Sequence, residues 1–111
     1  MKKLVLIILA LSIGACAPRP MTLQPQTAEI AAGHKLFDQH CAACHGEAAT
    51  GTKYAPDLRR ASARDAEVLF RFVTNGDLRH GMPSWSRLPD QRRWQIVSYL
   101  KSLNARRGSP S

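Results

Sequence analysis

A five-residue stretch near the middle of the chain constrains the fold more than any other feature. Cys41, Cys44 and His45 stand in the sequence "CAACH", which Gly46 follows directly. Residues at positions i, i+3 and i+4 of a helical turn share one face, so both thiols and the imidazole can point at the same object. The stretch is therefore expected to hold one bound group from a single helical turn.

Three chemistries place two thiols beside a histidine. A zinc site needs about four ligands, and no second CxxC or HxxxH pair accompanies the motif. A thioredoxin-like dithiol needs a strand–helix–strand setting, and no convincing strand is found in the sequence. In covalent haem attachment, each thiol adds to a vinyl group of the porphyrin and the following histidine binds the iron. The motif therefore favours one covalent haem c, with His45 as an axial iron ligand.

The N-terminal end has the pattern of an export signal. Two lysines precede an apolar run, residues 4–11, that is too short to span a bilayer unaided. The run leads to "IGAC", which resembles the lipobox of bacterial lipoproteins. Residues 1–15 are thus predicted to be a signal peptide that is removed before Cys16, whose sulfur would carry a diacylglycerol. The alternative is a soluble secreted product, but Pro18 disfavours cleavage after Ala17.

The rest of the chain divides into a tether, one domain and a tail. Residues 16–28 contain three of the seven prolines and no apolar period, so they are predicted to be a flexible, extended tether. Residues 29–105 form the predicted domain, and residues 106–111 form the tail. So short a domain buries little apolar surface, and we expect a haem to complete its core.

The domain shows helical periodicity in three places. An N-terminal helix is expected from Glu29 into Cys41, and a last helix from Asp90 onward. A middle helix of about three turns should end at Asn75 and Gly76, with Ser62 and Asp65 in a capping arrangement at its start. The apolar stripes of the last two helices are Val68, Leu69, Phe72 and Val73, and Trp94, Val97, Leu100 and Leu103. The sequence therefore predicts an all-α domain.

The chain resembles the small bacterial class I c-type cytochromes over about residues 29–105. The segments "CAACHG", "GMPSW" and "WQIVSYLKSL" carry the resemblance. It implies a class I cytochrome c-like fold, with about three main helices wrapped around one covalently bound haem. It also implies that a methionine between the last two helices is the second iron ligand, and Met82 stands there. The rival ligand is His80, and bis-histidine ligation would lower the reduction potential relative to His/Met ligation.

The same resemblance implies supporting roles for other residues. The carbonyl of Pro56 would accept a hydrogen bond from the second ring nitrogen of His45, and Leu58 would pack on the haem. Gly33 would let the last helix cross the N-terminal helix closely. Trp85 would either line the haem crevice or cover a hydrophobic edge.

Charge bears on the partners. Sixteen Lys and Arg stand against eight Asp and Glu, a formal net charge of +8. The basic residues are scattered in pairs such as Arg92 and Arg93, and the export signal argues against nucleic acid as their partner. They are expected to form either a solvated face or a surface that attracts redox partners with an acidic docking surface.

An iron with both axial positions filled by protein has no open site for a substrate. The expected function is therefore transfer of single electrons between a periplasmic dehydrogenase or respiratory complex and an acceptor, at the periplasmic side of a bacterial membrane. One alternative is a haem-based sensor or catalyst in which Met82 is labile. Another is a permanent subunit of a larger oxidoreductase.

Overall fold

The computed structural model describes residue 14 and residues 24–105. This part contains the helices α1 (Gln24–His40), α2 (Ala42–His45), α3 (Ala66–Asn75) and α4 (Asp90–Ala105), and 3-10 turns at Ala61–Ala63 and Leu78–His80. No strand occurs among these residues, and an isolated bridge pairs Asp77 with Met82. The predicted all-α fold is confirmed. None of the described helices is both long and apolar enough to cross a membrane.

The N-terminal helix begins earlier than the sequence suggested. Helix α1 starts at Gln24 instead of Glu29, so the expectation of an extended tether is wrong for residues 24–28. Pro25 does not prevent this start, because the N–H groups of a first helical turn have no acceptor within the helix. The predicted signal peptide, Cys16, the remainder of the tether and the tail at 106–111 lie outside the described residues.

The centre of the core is the crossing of α1 and α4. Phe37, Ile96 and Tyr99 are almost completely buried there, and the Phe37 and Tyr99 rings lie 5.2 Å apart. At Gly33 a Cβ atom would stand 1.8 Å from the carbonyl oxygen of Gln95. The expected role of Gly33 in a close crossing is therefore confirmed.

Helix α3 completes the core with Leu69 and Val73, whereas Phe72 is 43% exposed. The predicted cap of this helix is wrong, since Asp65 occupies the N-cap position without a side-chain hydrogen bond. Ser62 lies in the preceding 3-10 turn, where its hydroxyl donates to the carbonyl of Arg59. The serine therefore stabilises its own turn instead of the helix that follows.

Candidate functional site

The CAACH motif forms a helical turn at the end of α1. The N–H of Cys41 donates to the carbonyl of Phe37 at 2.8 Å, and the N–H of His45 donates to the carbonyl of Cys41 at 3.0 Å. Both Cys41 and Cys44 are free thiols. The two sulfurs and the imidazole therefore belong to positions i, i+3 and i+4 of one turn, as the spacing predicted.

The two thiols differ in their surroundings. Cys41 is half-buried against the core, and Cys44 is exposed. Burial, with a smaller contribution from Cys44, raises the pKa of the Cys41 thiol to about 11. Because the thiolate is the form that attacks disulfides, this environment disfavours the dithiol interpretation.

The imidazole of His45 is held in one tautomer. Its Nδ1 lies 3.0 Å from the carbonyl oxygen of Pro56, and the residue is 8% exposed. A carbonyl oxygen can only accept, so in the neutral imidazole Nδ1 carries the proton and Nε2 has the lone pair. That nitrogen is then available to a metal, and the hydrogen bond at Nδ1 fixes the orientation of the ring.

The loop after α2 folds back onto the motif. The N–H of Gly51 donates to the carbonyl of His45 at 2.8 Å, and the Thr52 hydroxyl donates to the carbonyl of Cys44. These bonds bring Pro56 beside the imidazole, and Leu58 packs on the edge of the core. Sequence reasoning missed Thr52, because no local pattern marks a hydroxyl whose acceptor lies eight residues away.

Met82 lies in the loop between α3 and α4. The backbone of Met82 and that of Asp77 exchange two N–H to carbonyl hydrogen bonds, each 2.9 Å long. Met82 is half-buried. A Cβ atom at Gly76 would come within 2.6 Å of the carbonyl oxygen of Met82. The backbone of this methionine is therefore held in place by its own loop.

The rival histidine is occupied elsewhere. The side chain of His80 is 81% exposed, and its Nδ1 lies 2.7 Å from a carboxylate oxygen of Asp77. The hydrogen bond from His80 lowers the pKa of Asp77. Of the two candidates, Met82 is thus the more buried and His80 the one with a protein partner at the surface.

Trp85 connects this loop to the rest of the domain. Its backbone N–H donates to the carbonyl of Val73 at 3.1 Å. The centre of its ring lies 4.9 Å from that of His40, at the end of α1. The guanidinium of Arg87 stands over the ring at 4.7 Å. The indole is half-buried and packs against the core.

The expectation that scattered basic pairs lie in solvent is wrong for one residue. Arg92 is exposed, but the adjacent Arg93 is only 7% exposed. Helical spacing gives a partial signal for this difference, since Arg93 precedes the buried Ile96 and Val97 by three and four positions. Its partners could not be read from that spacing, because they include a residue of α3, nineteen positions away.

The arrangement suits a covalently held haem. It supplies two free thiols one turn apart, an imidazole with an unprotonated Nε2 and a half-buried thioether. Within residues 24–105, no group of three or more His, Cys, Asp or Glu side chains could hold a metal ion. The donor set therefore fits iron carried by a porphyrin better than an ion held by protein ligands alone.

Comparison with known proteins identifies relatives of this domain. The family described as "Cytochrome C oxidase, cbb3-type, subunit III" matches residues 28–100. Quinohemoprotein alcohol dehydrogenase ADH-IIG of Pseudomonas putida is 36% identical over 69 residues, which cover 62% of this chain and 10% of that protein. The cbb3-type cytochrome c oxidase subunit CcoP of Azospirillum sp. (strain B510) is 37% identical over 87 residues, which cover 68% of this chain and 29% of that subunit.

A smaller protein is also similar. Cytochrome c550 of Pseudomonas aeruginosa is 35% identical over 78 residues, which cover 65% of this chain and 54% of that cytochrome. The chain thus spans about half of the length of this relative and much less of the two larger ones. No solved structure matches the chain significantly.

Proposed function

Because this chain belongs to the cbb3-type cytochrome c oxidase subunit III family, we propose that it carries single electrons through one haem c. Membership makes it a c-type cytochrome with a class I cytochrome c-like fold and covalently bound haem. Proteins of this kind transfer electrons and are not enzymes by themselves.

In this proposal Cys41 and Cys44 would form the thioether bonds to the haem, and His45 and Met82 would bind its iron. The hydrogen bond from Nδ1 of His45 to the carbonyl of Pro56 is the observation that carries the assignment, because it leaves Nε2 free to bind iron. The exposure of His80 and its bond to Asp77 favour Met82 as the second ligand. The haem supplies reversible one-electron oxidation and reduction.

The protein residues then have two tasks. His45 and Met82 would occupy the iron so that no open site is left for a substrate, and the loops around them would keep both ligands in place. Leu58 and Trp85 provide apolar cover at the edge of the core. These features favour electron carriage over a haem-based sensor or catalyst with a labile sixth ligand.

The proposed partners are redox proteins on the periplasmic side of a bacterial membrane. A periplasmic dehydrogenase or a respiratory complex would donate the electron, and an oxidase or another cytochrome would accept it. Removal of residues 1–15 would take away Lys2 and Lys3 and lower the formal net charge from +8 to +6. That charge suits partners with acidic docking surfaces, whose encounters are short-lived and small in area. Lipidation of Cys16 would keep the domain at the membrane.

The Met82→Ala variant tests the ligand assignment. In protein matured in its own host, we expect complete loss of the thioether-to-iron charge-transfer band, a lower reduction potential and binding of carbon monoxide by the ferrous form. A thioether favours ferrous iron, so its removal lowers the potential. The methionine control is Met21→Ala, which lies outside the described domain.

The His80→Ala variant tests the rival ligand. It should keep the band of the unaltered protein, since His80 binds Asp77 at the surface. A Met82→Ala protein with an unchanged spectrum and potential would refute the ligation. A denaturing gel without haem stain would refute covalent attachment through Cys41 and Cys44.

A further inference from the structure

One buried charge is not among the residues proposed to hold the haem. Arg93 lies in the first turn of α4 and is 7% exposed, whereas Arg92 beside it is exposed. A buried guanidinium is costly unless its donors are satisfied. The partners of Arg93 therefore indicate what the burial achieves.

Arg93 joins three parts of the fold. Its Nε donates to the carbonyl of Leu88 at 3.0 Å, its Nη1 donates to the hydroxyl of Thr74 at 2.5 Å, and its Nη2 donates to the carboxylate of Asp90. The guanidinium also lies 4.9 Å from the centre of the Phe70 ring. Phe70 and Thr74 belong to α3, Leu88 lies near the end of the loop after it, and Asp90 begins α4.

The same end of α3 holds the loop directly. The carbonyl of Thr74 accepts a hydrogen bond from the hydroxyl of Ser84 at 2.6 Å. The carbonyl of Val73 accepts one from the backbone N–H of Trp85 at 3.1 Å. Thr74 therefore binds Arg93 through its hydroxyl and Ser84 through its carbonyl. Ser84 stands two residues after Met82.

We propose that Arg93 is a positioning residue for Met82. By binding Thr74 and Leu88 together, it holds both ends of the loop that carries Met82 and so keeps the thioether on the iron. The inference rests on the proposed ligation by Met82. It goes beyond that ligation, because Arg93 acts on the loop and not on the haem.

Arginine suits this task better than lysine. Its planar group presents donors in several fixed directions, and here three of its nitrogens reach three different residues. A lysine at the same position carries the charge but has a single nitrogen, so it can replace only part of the set. A neutral thioether is a weak ligand, and its occupancy depends on how firmly the loop is held.

The test compares holo-proteins with Arg93→Met and Arg93→Lys. The matched control is Arg92→Met, which removes a neighbouring exposed arginine from the same helical turn, and Met82→Ala serves as the reference for a lost ligand. Urea titrations would follow the thioether-to-iron band and the far-ultraviolet circular dichroism of the helices in the same samples. Carbon monoxide binding to the ferrous forms would measure how often Met82 leaves the iron.

For Arg93→Met we expect the band to disappear at a lower urea concentration than the helical signal. Loss of charge-assisted hydrogen bonds should raise the population without the thioether ligand, and with it carbon monoxide binding, by about tenfold or more. In both measurements, the Arg93→Lys protein should give values between those of Arg93→Met and those of the unaltered protein. The Arg92→Met protein should give the values of the unaltered protein. If Arg93→Met does not fold, Thr74→Val should show the same order of events with a smaller effect.

Two results would overturn the role of Arg93 and leave the proposed ligation by Met82 intact. One is an Arg93→Met protein that behaves like Arg92→Met. The other is loss of the band and of the helical signal at the same lowered urea concentration, which would mean that Arg93 affects global stability only. If Met82→Ala itself kept the band, the proposed ligation would fail, and the role of Arg93 would fail with it.

Discussion

At the scale of single residues, neighbours decide what a side chain can do. The neutral imidazole of His45 has its lone pair on Nε2 because the carbonyl of Pro56 accepts the hydrogen bond from Nδ1. Arg92 and Arg93 are the same residue type in adjacent positions, yet one is exposed and the other is buried among hydrogen-bond acceptors. The chemistry of each residue therefore follows from its contacts and not from its type alone.

Gly33→Ala tests the contact between α1 and α4. Alanine favours a helix interior over glycine by about 1 kcal/mol, but here its Cβ would meet the carbonyl oxygen of Gln95 at 1.8 Å. Because that atom belongs to the backbone, the helices must separate, and we expect a net loss of about 1–3 kcal/mol in the free energy of unfolding. Urea unfolding of the holo-protein measures it.

The control for this substitution is Ala31→Val. It adds side-chain volume at an exposed position of the same helix, where only the small propensity difference of a β-branched residue applies. A Gly33→Ala protein as stable as the Ala31→Val protein would contradict the close crossing.

At the scale of elements, two loops build the site around a short helical turn. One loop returns to α2 through the bonds of Gly51 and Thr52, and it delivers the carbonyl of Pro56. The other is held by its own backbone pair between Asp77 and Met82. Neither loop contains a regular element beyond a 3-10 turn, so hydrogen bonds to neighbouring segments position it.

A pair of glycines in the second loop gives a prediction. Gly76 and Gly81 both have positive φ values, 68° and 80°, which strain an alanine. At Gly76 a Cβ would also stand 2.6 Å from backbone atoms of Met82 and Pro83, whereas nothing lies within 4 Å of one at Gly81.

We therefore expect Gly76→Ala to lower the free energy of unfolding by at least about 1 kcal/mol more than Gly81→Ala. Only Gly76→Ala should also weaken the thioether-to-iron band, since the displaced backbone carries Met82. Urea titration and the absorbance spectrum provide the measurements. Equal losses of unfolding free energy in the two variants would contradict this prediction, because they would show that the positive φ alone sets the cost.

At the scale of the whole molecule, the hydrophobic core of the described residues is small. Its most buried side chains come mainly from the crossing of α1 and α4, while Leu58 and Trp85 pack only at its edge. A domain of this length buries a modest fraction of its surface, and the entropy of the unfolded chain opposes it. A bound haem would add apolar surface where the loops meet.

The Cys41→Ala, Cys44→Ala double variant tests this dependence on haem. Without covalent attachment we expect a largely unfolded protein, with most of the helical circular dichroism lost and no cooperative thermal transition. Met82→Ala is the control, because it removes one iron ligand and keeps the covalent bonds. A haem-free double variant with a cooperative transition would show that the polypeptide core suffices.

Local patterns in the sequence determined the all-α class, the turn that carries Cys41, Cys44 and His45, and the start of the last helix at Asp90. These features depend on neighbours within a few positions, where spacing alone carries the information.

Only the tertiary structure decided that α1 begins at Gln24, that His80 binds Asp77 at the surface and that Arg93 binds Thr74. The contact between Arg93 and Thr74 joins residues nineteen positions apart, on two different helices. Such a contact depends on how the two helices pack against each other. Neither helix contains the information by itself, because the donor lies on one and the acceptor on the other.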